Sequence, residues 1–472
     1  MKRRLNKFLL MALTGVLFLF SCSNPVTSSE DDGDILLESF FLNTTLNPAL
    51  SSIVMGEIEN YEVILVISTD SSLSYYVPEF VSSAQSVLVD GQEQVSGESG
   101  QDFSNPVDYT FISSSGKTTV YTVEAIFLGF WNEMDGSPVG TAVGTAAQVK
   151  IDLKQGVFPH LIYMDNALLL SGKYYDAYNN PYWVNMGGPF GSANILSFSS
   201  QSTDSSIWTA AVSSGSPNAV SLIKYQDPGN WTAMGLPVFL DGPDLGNLKV
   251  FAENDFAAYI SVIDSYGSSN QPEVWSYNGI WNHHGGGPLS SMSASSFVAD
   301  LIDGQLIAAA SYNDDPDNIY LYYYDWDFDI WYPSTIAKPG HLVRELYRDE
   351  ETNDLIMVTV SVNSNDSSLS DVNWLSWDMD SNSVSDYVEP LTLYINPTDP
   401  LALYFSDNTP LLATDQYVYE YIKGGWRTLG NGPYCDTPSL AFSIVASSLG
   451  SRFIAYQDSG SYDVIVKMLK LE

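Results

Sequence analysis

Tryptophan recurs in this sequence inside one short phrase, and the spacing of the copies constrains the fold more than any other feature. The phrase is an apolar strand, a tight polar turn, a second strand that opens on Trp, and a Gly/Pro exit, as in residues 277–281 followed by Pro288. The anchors are Trp131, Trp183, Trp231, Trp281, Trp331 and Trp426. The first five are separated by 52, 48, 50 and 50 residues. Such a fixed period indicates a repeat architecture.

One copy of the phrase is missing, and the period assigns its place. Trp331 and Trp426 lie 95 residues apart, about two periods, which puts the missing anchor near Val384. Each period of about 50 residues contains four apolar strands without helical periodicity, the pattern of a β-propeller blade. The expected fold class is all-β, with a propeller of seven four-stranded blades over residues 128–472.

The two ends of the array predict how the ring closes. The array begins with a lone Trp strand at residues 130–134 and ends with three strands between Ser439 and Met468. Adding the first strand to the last three completes a blade and removes two exposed strand edges, which favour aggregation. We therefore expect a closed ring in which the Trp anchors pack between blades.

The strand-turn-Trp hairpin resembles part of a known repeat. In residues 225–231 the pattern Tyr-x-x-x-x-x-Trp is similar to the second half of a kelch repeat. The kelch double glycine is absent from residues 257–262 and 306–310. The resemblance covers half a blade, and it implies a kelch-like propeller.

Residues 35–127 have a different pattern. Six or seven short strands separated by turn signals, without helix signals, predict a β-sandwich. An ordered set of elements resembles the Ig-like modules that follow the lipidated Cys of many bacterial surface lipoproteins. It comprises Ser39-Phe40, Asn47-Pro48, Gly56-Glu57-Ile58, Val77-Pro78, Gly91, Ser96-Gly97, residues 102–109, Gly116 and Tyr121-Thr122-Val123. The resemblance implies a spacer or adhesion-type module and no catalyst.

The N-terminus reads as a targeting signal. Four cations within the first seven residues precede an apolar run over residues 8–20, which is too short for a permanent membrane span. The run ends Leu19-Phe20-Ser21-Cys22, which resembles a bacterial lipobox with Phe20 as a departure from the commonest pattern. Residues 1–21 are the expected lipoprotein signal peptide, and Cys22 is the expected lipidation site. A plain secretory signal is the alternative.

The segment that follows the signal is polar and acidic. Residues 22–34 contain no large apolar side chain, which is typical of a flexible tether. The lipid on Cys22 would make the membrane a partner. The expected location is the bacterial cell envelope, with the protein facing the periplasm or the cell exterior.

Charge excludes some partners. The chain has 56 Asp and Glu against 18 Lys and Arg, a net charge of −38. Nucleic acid and anionic lipid need clustered cations, so neither is an expected ligand. Five of the cations precede residue 118, and the remainder form no cluster along the sequence.

Three features suggest a metal site, and each has a simpler explanation. His283 and His284 are adjacent, so on a strand they point to opposite faces. His160 and His341 lie in other segments. Asp325, Asp327 and Asp329 alternate as at the start of a calcium loop, but the later Gly and Glu positions are Ile330 and Ile336. The sequence therefore predicts no metal-binding residue, and a turn explains the aspartates.

No catalytic motif accompanies the repeats. The sequence has no G-x-S-x-G, no zincin motif and no phosphate-binding glycine loop, so no catalytic or cofactor-binding residue is predicted. The preferred hypothesis is a monomeric binding or interaction module for a protein or glycan ligand. The alternatives are a carboxylate-based glycan hydrolase or lyase on the propeller axis, and a purely structural envelope protein.

Overall fold

The secondary structure is almost entirely β. The computed structural model describes residues 36–470 except 51–52, 68–74, 142–147, 155, 157, 166, 177–181, 189, 191–193, 204, 216–217, 227–229, 241, 243–246, 253, 267–268, 350–351, 353, 379–380, 382, 407 and 449. Within these residues lie 42 strands and two short 3₁₀ turns, at His284–Gly286 and Leu429–Asn431.

The N-terminal strands form two sheets packed face to face. They are β1 (Leu37–Leu42), β2 (Val54–Met55), β3 (Glu57–Glu59), β4 (Glu62–Ile67), β5 (Tyr75–Tyr76), β6 (Glu79–Ser82), β7 (Ser86–Val89), β8 (Gln92–Glu93), β9 (Gln101–Asp102), β10 (Val107–Ile112) and β11 (Thr118–Phe127). One sheet has the order β2-β1-β6, the other has the order β3-β4-β11-β10-β7-β8, and β5 pairs with β9. β4 and β11 are parallel.

The alternation of the strand sequences explains this packing. Val63, Leu65 and Ile67 on β4 are fully buried, while the intervening residues keep contact with solvent. Across the core, Phe40 and Tyr109 meet edge to face with their ring centroids 5.2 Å apart. The two sheets therefore share one apolar core.

The remaining strands form seven antiparallel sheets, here numbered in chain order. The strands are β12 (Phe130–Glu133), β13 (Gly140–Thr141), β14 (Val149–Lys154), β15 (Phe158–Met164), β16 (Leu170–Asp176), β17 (Tyr182–Asn185), β18 (Ile195–Ser202), β19 (Ser206–Ser213), β20 (Asn218–Gln226), β21 (Asn230–Ala233), β22 (Val238–Leu240), β23 (Lys249–Phe251), β24 (Ala258–Tyr266), β25 (Ser269–Tyr277), β26 (Trp281–His283), β27 (Ala294–Ile302), β28 (Gln305–Tyr312), β29 (Asn318–Asp325), β30 (Ile330–Ala337), β31 (Leu342–Arg348), β32 (Leu355–Val362), β33 (Ser370–Asp378), β34 (Ser383–Asp386), β35 (Leu391–Leu393), β36 (Ala402–Ser406), β37 (Thr409–Ala413), β38 (Val418–Ile422), β39 (Gly425–Thr428), β40 (Ala441–Ala446), β41 (Arg452–Gln457) and β42 (Asp463–Lys470).

Six sheets follow the chain and the seventh joins its two ends. Sheets 1 to 6 have the orders β14-β15-β16-β17, β18-β19-β20-β21, β23-β24-β25-β26, β27-β28-β29-β30, β31-β32-β33-β34 and β36-β37-β38-β39. Sheet 7 has the order β40-β41-β42-β12, in which Trp131 pairs with Leu469. The sequence predicts this closure, and the pairing confirms it.

The sheets form a closed ring, because a buried apolar cluster joins every sheet to the next. Clusters lie between sheets 1 and 2, 2 and 3, 3 and 4, 4 and 5, 5 and 6, 6 and 7, and 7 and 1. The second strand of a sheet is covered on both faces, as in β19, where all eight residues are buried. A ring of antiparallel sheets whose first strands surround an axis is a β-propeller.

Polar side chains also link neighbouring inner strands at the repeat period. Gln148 accepts a hydrogen bond from the backbone N–H of Phe198 at 2.7 Å, and Asn247 accepts one from Phe297 at 3.2 Å. Ser199 accepts one from Val250 at 3.1 Å. Each link spans about one repeat, so these side chains fix the register of one inner strand against the next.

The sandwich contacts the ring directly. Only Leu128 and Gly129 separate β11 from β12, and the carbonyl oxygen of Leu128 accepts a hydrogen bond from Gly430 at 3.1 Å. Leu128 is buried in the cluster between sheets 6 and 7. At the rim of this contact, Arg427 forms an ion pair with Glu57 at 2.5 Å. The two parts of the chain therefore share a packed interface.

Candidate functional site

The Trp anchors are packing residues between sheets. In sheet 3 Trp281 pairs with Tyr277, and its Nε1 donates a 2.7 Å hydrogen bond to the carbonyl oxygen of Leu236 in the exit from sheet 2. Trp131, Trp231, Trp331 and Trp426 likewise donate to carbonyl oxygens of the preceding sheet's exit, at 3.3, 3.1, 3.1 and 2.8 Å. The indole groups of these residues are therefore engaged in contacts between neighbouring sheets.

Val384 takes the place of the missing anchor. It pairs with Trp377, in the register in which Trp281 pairs with Tyr277. Sheet 5 thus carries its large aromatic residue on the third strand. This is the position that the repeat period predicts for the missing anchor.

The ring encloses a cavity on its axis. The cavity has a volume of about 210 Å³ and receives residues from the first strand of every sheet or from the residue just before it. Its lining is Lys150, Ser199, Asn247, Leu248, Lys249, Phe297, Val298, Val343, Arg344, Glu345, Leu401, Ala402, Leu403, Ser443 and Ile444. Seven of these fifteen side chains are polar, so the cavity suits a small polar group.

Lys249 is the centre of an ion triad that joins three sheets. Its Nζ lies 2.7 Å from Oδ2 of Asp300 on β27 and forms a second ion pair with Glu345 on β31. Burial alone would lower the pKa of Lys249, but Asp300 and Glu345 raise it above the ordinary lysine value. Lys249 is therefore charged at neutral pH, and its charge is already compensated by protein groups.

Lys150 on β14 is the second cation of the cavity. It is exposed, and it lines the axial cavity within the ring. Burial is the largest influence on its pKa and lowers it, while the more distant Glu345 raises it and Lys249 lowers it further. Among the described residues, no side chain forms a hydrogen bond or ion pair with its ammonium.

Arg344 adds a third positive charge. Its guanidinium donates to the carbonyl oxygens of Pro397 and, at 3.4 Å, of Asp399. Its Nε is buried without a hydrogen-bond partner in the described part of the chain. No described carboxylate forms an ion pair with Arg344, so its charge adds to the positive potential of the cavity.

The axial carboxylates are poorly placed for acid catalysis. Hydrolysis of a glycoside by two carboxyl groups requires one of them to be protonated so that it can protonate the leaving oxygen. Here Asp300 and Glu345 contact the same ammonium, so both are engaged in ion pairs. The arrangement can hold polar groups in the cavity.

The histidines have structural contacts, and His160 and His341 lie in different sheets from the adjacent pair His283 and His284. His283 stacks on Trp275 at 4.0 Å, whereas His284 bonds Ser276 at 2.8 Å. Burial lowers the pKa of both, and that of His284 to about 4. His160 bonds Ser202, and His341 bonds Thr359, each at 2.8 Å. Among the described residues, no group of three or more His, Cys, Asp or Glu could hold a metal ion.

The three alternating aspartates lie in or beside the turn between β29 and β30. Asp325 accepts hydrogen bonds from the backbone N–H groups of Asp327 and Phe328, at 2.9 and 3.1 Å. Asp329 accepts from Tyr324 and from the N–H of Gly285, and these bonds lower its pKa. At Asp325 and Asp329 the carboxylates therefore stabilise the hairpin and its contact with sheet 3.

Cys22 and the acidic tether lie outside the described residues. In the part of the chain that the structure describes, no helix is long and apolar enough to cross a bilayer.

The axial cations were missed because they are far apart in sequence. Lys150, Lys249 and Arg344 are isolated along the chain, and only the ring brings them together. Each of them lies within the first three residues of an inner strand, in sheets 1, 3 and 5. Their positions within those strands differ, so the repeat period does not identify them.

Comparison with solved structures finds lectins that are similar at low identity. No protein-family model matches the sequence, and no curated protein matches it. The fucose-specific lectin from Aleuria aurantia is 13% identical, with a TM-score of 0.40 over 69% of this chain and 96% of that one. The BP39L lectin from Burkholderia pseudomallei is 16% identical, with a TM-score of 0.47 over 68% and 98%.

Proposed function

We propose that this chain is a non-catalytic binding module of the bacterial cell envelope. Its seven sheets are the seven blades of one propeller, and the axial cavity receives a terminal unit of a glycan. The observation that carries this proposal is the cavity itself, which is concave, lined by every sheet and rich in polar side chains. A protein partner would need a broad surface, whereas this site admits only a small group.

Binding is favoured over hydrolysis by the state of the axial carboxylates. Lys249 contacts both Asp300 and Glu345, so these two carboxyl groups are engaged in ion pairs, whereas a glycoside hydrolase needs one of them to protonate the leaving oxygen. Ser199, Asn247 and Ser443 add hydroxyl and amide groups to the wall, which suit the hydroxyl groups of a sugar.

The rest of the chain supports a surface role. We propose that residues 35–127 are an Ig-like spacer, that residues 128–472 are the propeller, and that a lipid on Cys22 anchors the acidic tether of residues 22–34. The packed contact between Leu128 and the ring supports a spacer that holds the propeller in one orientation. Such an arrangement would present the axial cavity away from a membrane.

A glycan array with the folded protein tests the proposal. The variant Ser443→Leu introduces an apolar side chain into the cavity, and Ser214→Leu, in an exposed loop, is the matched control. We expect specific glycan binding that Ser443→Leu weakens and Ser214→Leu retains, with circular dichroism confirming that both variants fold. An array without any bound glycan would contradict the proposal and favour a purely structural envelope protein. Equal binding by both variants would place the glycan site outside the axis.

A further inference from the structure

The axial cavity concentrates positive charge in a strongly acidic protein. Only 18 of 472 residues are Lys or Arg, against 56 Asp and Glu, yet three cations line this one cavity. Among the lining residues these three cations accompany one carboxylate, Glu345. Such a lining favours a negatively charged group.

The three cations differ in what they already contact. Lys249 has two carboxylate partners, and the guanidinium of Arg344 is held by backbone carbonyl oxygens. Lys150 has neither kind of partner among the described residues. Its ammonium is therefore the donor in the cavity that remains available to a ligand.

The nearby carboxylates are occupied elsewhere. Asp152 accepts hydrogen bonds from the backbone N–H groups of Leu153 and Ser202, at 2.8 and 2.5 Å. Glu345 is bound by Lys249 and by the N–H of Leu346 at 3.2 Å. Both carboxylates influence the charge of Lys150 only over a longer distance. The ammonium of Lys150 is therefore accessible from the cavity and has no carboxylate partner among the described residues.

Size limits what can enter. The cavity volume of about 210 Å³ is below the roughly 300–1,000 Å³ of pockets that enclose drug-sized ligands. It admits one charged group with part of a sugar ring and excludes a folded acidic chain.

We propose that the group bound in the axial cavity is a small oxyanion, a carboxylate or sulfate carried by an acidic sugar, and that Lys150 is its receptor. This inference rests on the proposed function, since it names the chemical class of the glycan. Arg344 contributes positive potential, and Ser199 and Ser443 supply hydroxyl groups for the rest of the sugar. In the Lys249 triad the ammonium offsets part of the charge of Asp300 and Glu345, which reduces their repulsion of the anion.

Titration calorimetry with three probes tests the inference: methyl glucuronide carries a carboxylate, glucose 6-sulfate carries a sulfate, and methyl glucoside is neutral. We expect at least one acidic probe to bind at least tenfold more tightly than methyl glucoside, since a hydrogen bond to a charged group is worth about 10- to 100-fold. Lys150→Met should abolish this preference, whereas Lys150→Arg, which keeps the cation, and the surface control Lys338→Met should retain it.

The outcomes separate the two proposals. If methyl glucoside binds as tightly as the acidic probes, or if Lys150→Met keeps the preference, the anion site is wrong while glycan binding stands. If Lys150→Arg loses the preference together with Lys150→Met, the charge of Lys150 is not the cause and the inference is overturned. If no probe binds and the glycan array is also silent, both proposals fail.

Discussion

The indole Nε1 of Trp331 donates a 3.1 Å hydrogen bond to the carbonyl oxygen of His284, across the junction between sheets 4 and 3. Gly285, the next residue, has φ of 80°, and a Cβ added to it would lie 2.7 Å from Cδ1 of the same indole. Glycine is thus required at position 285 for two reasons: the backbone has a positive φ, and the indole of Trp331 packs where a Cβ would lie.

Replacing Gly285 by Ala should destabilise the ring beyond the cost of the backbone. Gly340 is the matched control, because it also follows the outermost strand of a sheet and has φ of 72°, but nothing lies within 4 Å of its added Cβ. We expect Gly340→Ala to lower the free energy of unfolding by about 1 kcal/mol and Gly285→Ala by about 2–4 kcal/mol. Chemical denaturation measures both. Equal losses would show that the contact with Trp331 contributes nothing.

Lys249→Met should destabilise the protein through the carboxylates that it leaves behind. Without the ammonium, Asp300 and Glu345 face each other without a cation, at a site where all three side chains are about three-quarters buried. We expect Lys249→Met to lower the free energy of unfolding by about 2–3 kcal/mol at pH 7 and by less at pH 4, where carboxylates become protonated. The double variant Lys249→Met/Glu345→Met, unfolded under the same conditions, should recover part of the stability lost at pH 7. A loss independent of pH would indicate packing instead of charge.

Mild acid should reduce stability through His284. Burial lowers its pKa from 6.5 to about 4, so the unfolded chain takes up a proton at a pH where the folded protein does not. The contribution of the neutral His284 to the free energy of unfolding is complete above about pH 6.5. It is lost as the pH falls towards 4, by up to about 3 kcal/mol.

Unfolding at pH 7 and pH 4.5 measures this contribution. His284→Gln should start less stable at pH 7 and lose less on acidification, because the titrating group is gone. The neighbouring change Asn282→Gln leaves the histidine in place and should keep the full pH dependence. If His284→Gln and the unaltered protein lose the same stability, His284 is not a source of the acid sensitivity.

Lipidation predicts how the full chain partitions. Expressed in a bacterium, the protein should enter the detergent phase of a Triton X-114 extraction, because the buried acyl chains contribute about 0.8 kcal/mol for each methylene. Cys22→Ala should move it to the aqueous phase, whereas Cys435→Ala, which alters the buried free thiol, should not. A Cys22→Ala protein that still partitions with membranes would disprove the anchor.

The fold could be read from the sequence where it depends on periodic packing. The Trp phrase predicted the register of the outer hairpins, including Val384 in place of a Trp, since each copy meets the same neighbours. The lone strand at Trp131 predicted the closure because an unpaired edge is unfavourable. Such features repeat, so one copy supports the interpretation of another.

The candidate site could not be read in the same way. The cavity forms where seven strands converge, and each contributes one to three residues that are unremarkable by themselves. Lys249 forms ion pairs with carboxylates, and Lys150 forms none among the described residues. This difference depends on distances of a few Å between strands that are about 50 to 100 residues apart in the sequence. Sequence spacing alone carries no information about such pairs.

The closure of the ring has a mechanical consequence. The chain passes from β11 through Leu128 and Gly129 into β12, which is held to the last strand by four residue pairs from Phe130–Lys470 to Glu133–Lys467. A force applied at the N-terminus and transmitted by the sandwich would act on the strand that completes the ring. The contact of Leu128 with sheets 6 and 7 would carry part of that load before the strand does. Resistance to pulling would then reside in this junction, and the other six sheets would remain unloaded until it gave way.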